Sequence, residues 1–296
     1  MSAPRTIPHQ DRDRLWVANR LKKAVRSMVP RPLRNSLRSP TRSAEWLWDS
    51  VRFLLGNTES LEVSPDSHLL CHPRAYRIFR RDQVDDPEQS EEFRSFVCYC
   101  SDTMFLYDIG AHFGVFSLVA AHFGGKAVAV DASPSAARMI GVLTILNKCN
   151  DRVQILRAAV SDASSSIDMV NSGVFSDGYF KVARQMPKSE LTKVQAVTID
   201  QMALQFGPPT HIKIDVEGHE AAVLRGARST LRKFSPLIFL ELHNEMVLSA
   251  GGNPRTALEE LAQLRYDTFA LNGDVITTNA ILTRPIIRIV AKRRVE

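Results

Sequence analysis

The sequence predicts an α/β fold: a mostly parallel, doubly wound sheet with an antiparallel strand near the C-terminus, preceded by a helical N-terminal extension. Three observations predict it. From about residue 100, short apolar runs alternate with stretches of helical periodicity. Glycines at 110 and 114 sit in a loop between the first apolar run and the next helix. Acids at 108, 131 and 162 fall in order at successive strand ends.

Element by element, Met104–Ile109 reads as a strand, Val115–Phe123 as a helix, Ala127–Val130 as a strand and Pro134–Asn147 as a helix. Val153–Ala159 is the third strand and Ile212–Val216 the fourth, followed by a helix over Glu220–Lys233. Leu237–Leu242 is a fifth strand and Leu258–Leu264 is helical. Thr268–Leu271, Ile281–Thr283 and Ile286–Val290 read as closing strands. Ser161–Val194 is rich in Ser, Asp and Gly and carries Phe175, Tyr179 and Phe180. It is long for a plain connection, which suggests either a substrate lid with aromatic platforms or a hairpin covering the sheet.

Charge divides the chain at about residue 60, separating a basic extension (1–60) from a near-neutral body (61–296). Residues 1–60 hold 12 Lys and Arg against 5 Asp and Glu, whereas the rest hold 26 against 27. Val17, Leu21, Ala24, Val25 and Met28 recur at helical spacing among Arg and Lys; a second apolar cluster runs from Trp46 to Leu55. A basic amphipathic helix can meet an anionic membrane surface or a protein partner; the simpler reading packs it on the body. No nucleic-acid partner is expected, because the body is near neutral and no reading motif accompanies the charge. The four cysteines, at 71, 98, 100 and 149, form neither a disulfide framework nor a zinc spacing. With no apolar span or signal-like start, the expected location is the cytoplasm.

The loop Tyr107-Asp-Ile-Gly-Ala-His-Phe-Gly114 has the spacing D-x-G-x-x-x-G, not the G-x-G-x-x-G of a pyrophosphate site. Gly110 and Gly114 allow a tight turn and close backbone approach. Asp108 disfavours a pyrophosphate and suits a cationic ligand such as the amino group of S-adenosylmethionine. Asp131, followed by Ser133, can accept from ribose hydroxyls, as the second-strand acid does in dinucleotide folds. Asp162 can accept from the adenine amino group. Singly, Asp108 reads equally well as a helix cap and Asp162 as a turn residue.

Several blocks together resemble the FkbM family of methyltransferases: Asp108–Gly114, Ala159-Val-Ser-Asp162, Val197-Thr-Ile-Asp200, Ile212-Lys-Ile-Asp-Val-Glu-Gly-His-Glu220, Val223-Leu-Arg-Gly-Ala227 and Phe239-Leu-Glu-Leu-His243. The resemblance spans roughly residues 90–285. It implies a Rossmann-like class I fold and transfer of a methyl group from S-adenosylmethionine to a hydroxyl of a sugar, glycolipid or secondary metabolite. The chain departs from the family pattern at His112, where Asn is usual, and at Asp131-Ala-Ser-Pro134, where Glu-Pro is usual.

Methyl transfer to oxygen needs an aligned hydroxyl and a proton acceptor. Asp215, Glu217 and His219 follow the fourth strand, and Glu241 and His243 end the fifth. One reading makes His219 or His243 the base, oriented by a carboxylate. The other has the acids, Asp215 and Glu241 first, hold Mg²⁺ or Mn²⁺ to lower the hydroxyl pKa. Glu220 reads as the cap of its own helix. Two further functions compete: a nicotinamide-dependent oxidoreductase, and a non-catalytic S-adenosylmethionine-binding protein.

Overall fold

A computed structural model describes residues 48–171, 180–182 and 191–294. The basic helix expected around Val17–Met28 lies outside them, as do Phe175 and Tyr179. The chain divides into two compact units: residues 1–58 with 72–74, and residues 59–71 with 75–296. In the first, residues 48–54 are helical, with Leu54 and Leu55 exposed.

The second unit opens with a hairpin, β1 (Glu59–Ser64) and β2 (Ser67–Cys71). Two helices follow, α1 (Pro73–Asp85) and α2 (Pro87–Tyr99). Asp86 starts α2 by accepting the Glu88 N–H at 3.0 Å, with Pro87 in the first turn, where its missing N–H costs nothing. Periodicity from residue 100 onward could not reveal these elements.

The main sheet holds β3 (Phe105–Ile109), β4 (Lys126–Val130), β5 (Val153–Leu156), β10 (His211–Ile214), β11 (Leu237–Leu242), β12 (Tyr266–Phe269) and β13 (Ile287–Arg293). Its order is β12-β13-β11-β10-β3-β4-β5. The five strands from β11 to β5 run parallel, and β13 is antiparallel to both β11 and β12. This is the Rossmann-like, doubly wound arrangement, with its switch point between β3 and β10, where an open sheet presents a ligand crevice. The strands there are nearly continuous apolar runs because helices cover both faces. One core cluster gathers Phe96, Leu118 and Phe239; the other gathers Tyr107, Ile212 and Leu240.

Helix α3 (Val115–His122) joins β3 to β4, and α4 (Pro134–Leu146) joins β4 to β5. The expected Val153–Ala159 strand divides: β5 is the sheet edge, and β6 (Ala159–Val160) pairs instead with β9 (Leu191–Val197). With β7 (Ser166–Asn171) and β8 (Phe180–Val182) these make a second sheet, ordered β6-β9-β7-β8, so the Ser161–Val194 segment is strand-bearing. Helix α5 (Ile199–Phe206) begins with a capping box in which Thr198 and Gln201 satisfy each other's backbone N–H groups.

The expected Glu220–Lys233 helix is two, α6 (Glu220–Arg225) and α7 (Arg228–Phe234). They break at Gly226, where a Cβ would lie 2.1 Å from the Ser161 carbonyl oxygen. Helices α8 (Asn244–Ser249) and α9 (Arg255–Gln263) follow β11. The expected strand Ile281–Thr283 is wrong. Ile281 and Leu282 fall on helix α10 (Thr278–Leu282) and Thr283 ends it, because Thr277 accepts the Ala280 N–H and starts a helix there. Among the described residues no helix is long and apolar enough to cross a membrane, and all four cysteines are free thiols.

Candidate active site

The carboxyl ends of β3, β4, β6 and β10 frame a cleft of about 1140 Å³, including its open mouth. Gly110 and Gly114 have φ of 79° and 72°. What approaches them closely is protein. A Cβ on Gly110 would sit 1.8 Å from the Asp215 carbonyl oxygen, and one on Gly114 would sit 2.9 Å from Ile140. The Asp215 N–H also donates to the Ile109 carbonyl at 3.0 Å. The loops after β3 and β10 are therefore in direct backbone contact, which is what the glycine at 110 permits.

Asp108 is buried, and its Oδ2 accepts both the Ser117 N–H (3.1 Å) and the Ser117 hydroxyl (2.7 Å). It thus restrains the start of α3, the cap role, while also lining the cleft. Burial pushes its carboxyl up to about 6, against the Ser117 bonds and the Lys213 charge. Asp131 stands at the end of β4 and accepts the His112 N–H on Oδ2 (2.9 Å) and the Ser133 N–H on Oδ1 (2.7 Å). Burial pushes it up to about 7, with the two backbone bonds opposing. Each oxygen keeps a further lone pair, so the carboxylate can still accept from a ligand.

Ser133 itself faces away from that role. Its hydroxyl accepts the Ala136 N–H and caps α4, so it orients Asp131 through its backbone. His112 adopts φ 51°, stacks on Phe113 with ring centroids 3.8 Å apart, and lines the cleft. Asp162 is not among the lining residues. Its Oδ2 takes a two-pronged Arg225 bond at 2.9 and 3.0 Å. Ala132, Ala158, Val160 and Met169 supply the apolar wall on that side.

Beyond Ile214 strand alternation fails, because Glu217 and Gly218 take φ of 55° and 93°. Asp215 and Glu217 nevertheless both line the cleft, as does His219, whose Nε2 meets the Ser161 hydroxyl at 2.9 Å. Glu241 and His243 do come together, with His243 Nε2 3.6 Å from Glu241 Oε1 and 3.8 Å from Asp215 Oδ1.

Four residues of this cluster escape a reading by strand ends. Lys213 is buried, with Nζ 3.3 Å from Glu92 Oε1 on α2, 3.8 Å from Asp215 Oδ2 and 4.7 Å from the Phe116 ring centre. Arg288 on β13 grips both Glu241 oxygens at 2.8 and 3.1 Å and also reaches Glu92. Glu220 holds His243 Nδ1 at 2.8 Å as well as the Gly218 N–H. Lys213 was readable inside the apolar strand Ile212–Val216, since a charge there needs a partner. Glu92 and Arg288 carried no local signal.

Burial would raise Asp215, but Lys213, then His243 and Arg288, bring it below the usual carboxylate range. Burial and the Asp215 charge push Glu241 upward against Lys213 and Arg288. Burial would lower His243, but the Glu220 bond and the surrounding acids raise it to about 9, so it is protonated at neutral pH. That is the state of a proton holder rather than of a resting base. Ligand atoms of Asp215, Glu241 and His243 lie within 4.8 Å of one another, a spacing open to a cation, but Arg288 and Lys213 already neutralise the two acids.

Among curated proteins of known function, none matches the chain. The chain resembles an FkbM methyltransferase structure from Methylobacillus flagellatus at 16% identity and TM-score 0.45, over 68% of this chain and only 46% of that one. It also resembles an O-methyltransferase from Bacillus cereus bound to SAH (14%, TM-score 0.41, covering 69% and 80%). A third likeness is to a precorrin-6y C5,15-methyltransferase from Geobacter metallireducens (15%, TM-score 0.39, covering 69% and 89%). The model of the methyltransferase FkbM domain matches residues 108–275, more than half of the chain and every element that frames the cleft from Asp108 onward. The chain therefore belongs to the FkbM family of S-adenosylmethionine-dependent methyltransferases rather than to the nicotinamide oxidoreductases.

Proposed function

We propose that the protein transfers the methyl group of S-adenosylmethionine to a hydroxyl oxygen of a small-molecule or glycan acceptor. The observation that carries this reading is one cleft lined by both Asp131 and the Lys213–Asp215 pair. The donor set fits the cofactor. Five carboxylates line the cleft (Asp82, Asp108, Asp131, Asp215, Glu217) against one lysine and two histidines, which suits a cation. Asp131 would accept from the ribose hydroxyls, and Ala132, Ala158, Val160 and Met169 would flank the adenine. Asp108 contributes its charge, and Asp162 supports the wall through Arg225.

When bound, S-adenosylmethionine supplies an electrophilic methyl on a sulfonium. The protein's share is alignment and proton handling. Asp215, at the edge of the cleft, takes the hydroxyl proton. Lys213 and protonated His243 hold Asp215 in place, and Glu220 and Glu241 hold His243. A divalent ion at Asp215, Glu241 and His243 is the alternative, and the Arg288 fork weighs against it. Turnover that survives EDTA supports the metal-free route.

Two measurements test the reading. Calorimetric titration with S-adenosylhomocysteine should show binding that Asp131→Ala weakens. A mass-spectrometric screen of hydroxylated sugars, lipids and metabolites should find mass gains of one methyl on oxygen. Methylation only on nitrogen or carbon would remove the O-directed assignment. The same proposal places the protein in the cytoplasm with a membrane or protein contact through the basic extension; fractionation of tagged 1–296 and 61–296 chains tests both.

A further inference from the structure

The cleft has two walls of different origin. The loops after β3, β4 and β10 belong to the family-matched segment, residues 108–275. The other wall is contributed by α1 and α2, which precede that segment: Ile78, Phe79 and Asp82 from α1, Gln89 from α2. The wall offers a ligand polar groups, and the Lys213 ammonium of the same lining asks for one. The Gln89 amide has no hydrogen-bond partner among the described residues, although it lines the cleft. At the floor, the Lys213 ammonium is buried at 3% exposure, lines the same cleft and makes no hydrogen bond within the protein. Its carboxylate neighbours sit at 3.3 and 3.8 Å without donor geometry. Those ion pairs and the Phe116 ring carry its charge, but its N–H groups are left without a hydrogen-bonded acceptor, so an oxygen brought by a ligand would be held there.

We infer that α1 and α2 seat the methyl acceptor: Gln89 and Asp82 grip its hydroxyls, Phe79 covers its apolar face, and Lys213 Nζ donates to its innermost oxygen. This rests on the methyl-transfer reading above. The charge around the floor sets the acceptor's class. Lys213 is already surrounded by Glu92, Asp215, Glu241 and Asp108, so an anionic group there meets carboxylates on every side. The fitting occupant is an uncharged, hydroxyl-bearing ring compound. An amide and a carboxylate suit its hydroxyls, and the aromatic rings of Phe79 and Phe116 in the lining suit its C–H groups. In the transfer the S–CH₃ bond breaks and its electron pair stays on sulfur. The O–CH₃ bond forms, and the hydroxyl proton passes to Asp215.

The test uses the full chain, labelled S-adenosylmethionine and p-nitrophenyl glycosides of neutral sugars, each matched by a p-nitrophenyl glucuronide. Neutral glycosides should be methylated and the glucuronide should be at least about tenfold poorer. Gln89→Ala and Phe79→Ala should each raise the glycoside KM by about tenfold while S-adenosylhomocysteine affinity stays within about twofold. The charge-neutral pair Lys213→Met with Glu92→Gln, checked for folding by thermal melting, should lower kcat and keep S-adenosylhomocysteine binding. No turnover of neutral glycosides, preference for the glucuronide, or an unchanged KM in the α1–α2 variants overturns the inference. Loss of S-adenosylhomocysteine affinity in the Lys213/Glu92 pair also overturns it, by assigning that ammonium to the cofactor's carboxylate. Failure of the wild-type chain to bind S-adenosylhomocysteine instead removes the cofactor reading beneath it.

Discussion

Glu220 Oε1 accepts a hydrogen bond from His243 Nδ1 at 2.8 Å, and the same oxygen takes the Gly218 N–H at 2.9 Å. One buried carboxylate thus fixes both the turn into α6 and the imidazole at the end of β11. Removing one partner of a buried pair leaves the other uncompensated. Glu220→Ala should therefore lower unfolding free energy by about 3–5 kcal/mol in denaturant titration. Glu220→Gln should keep the fold and still lower kcat, because an amide cannot hold the imidazolium charge.

The pH dependence of stability follows from the same pair. The folded value of His243, about 9, lies above its ordinary 6.5. Its contribution is therefore complete below 6.5 and is lost as pH rises through about 9. The shift corresponds to about 3 kcal/mol. Melting curves between pH 6 and 10 should show a decline in the wild type that His243→Gln flattens. Parallel declines in both proteins would assign the effect to other groups.

Asp131 makes the opposite kind of pH statement. Burial brings its carboxyl to about 7, so near neutrality it is only partly ionised. In the proposed role of Asp131, ribose hydroxyls donate to it, and they bind the ionised form better. Affinity for S-adenosylhomocysteine should thus rise between pH 6 and 8 and then level off. In Asp131→Asn the rise should vanish and affinity at pH 8 should drop by about tenfold or more.

Gly110→Ala should abolish soluble folded protein. A methyl there would lie 1.8 Å from the Asp215 carbonyl oxygen, at a φ of 79° that side chains rarely adopt. The expected cost exceeds about 4 kcal/mol. Gly273→Ala is the control, since φ is 92° there but nothing lies within 4 Å. It should cost only about 1–2 kcal/mol.

The parallel sheet was legible because its strands are buried on both faces and so read as apolar runs, as in Leu106–Ile109 and Ile238–Leu242. Ile281–Thr283 misled for the same reason: a short apolar run does not distinguish strand from helix, and the Thr277 cap decided it. At the site, acids closing strands could be located, but their partners could not. Arg288 meets Glu241 across 47 residues, and Lys213 on β10 meets Glu92 on α2. Such pairings are set by the crossover topology rather than by any local pattern. The glycine loop was legible as a close approach, whereas its target, the Asp215 carbonyl, depended on β10 lying beside β3.

The contact between Gly110 and the Asp215 carbonyl makes the loops after β3 and β10 a single mechanical part. Neither can shift without carrying the other, so the spacing between the proposed cofactor seat and the proposed proton acceptor is frozen into the chassis. Divergence toward new acceptors has little room at this floor, where most changes end in misfolding. The rim contributed by α1 and α2 is free of that constraint. A lineage of such chains would keep its reaction constant and change its clientele by rewriting the helices that precede the catalytic body.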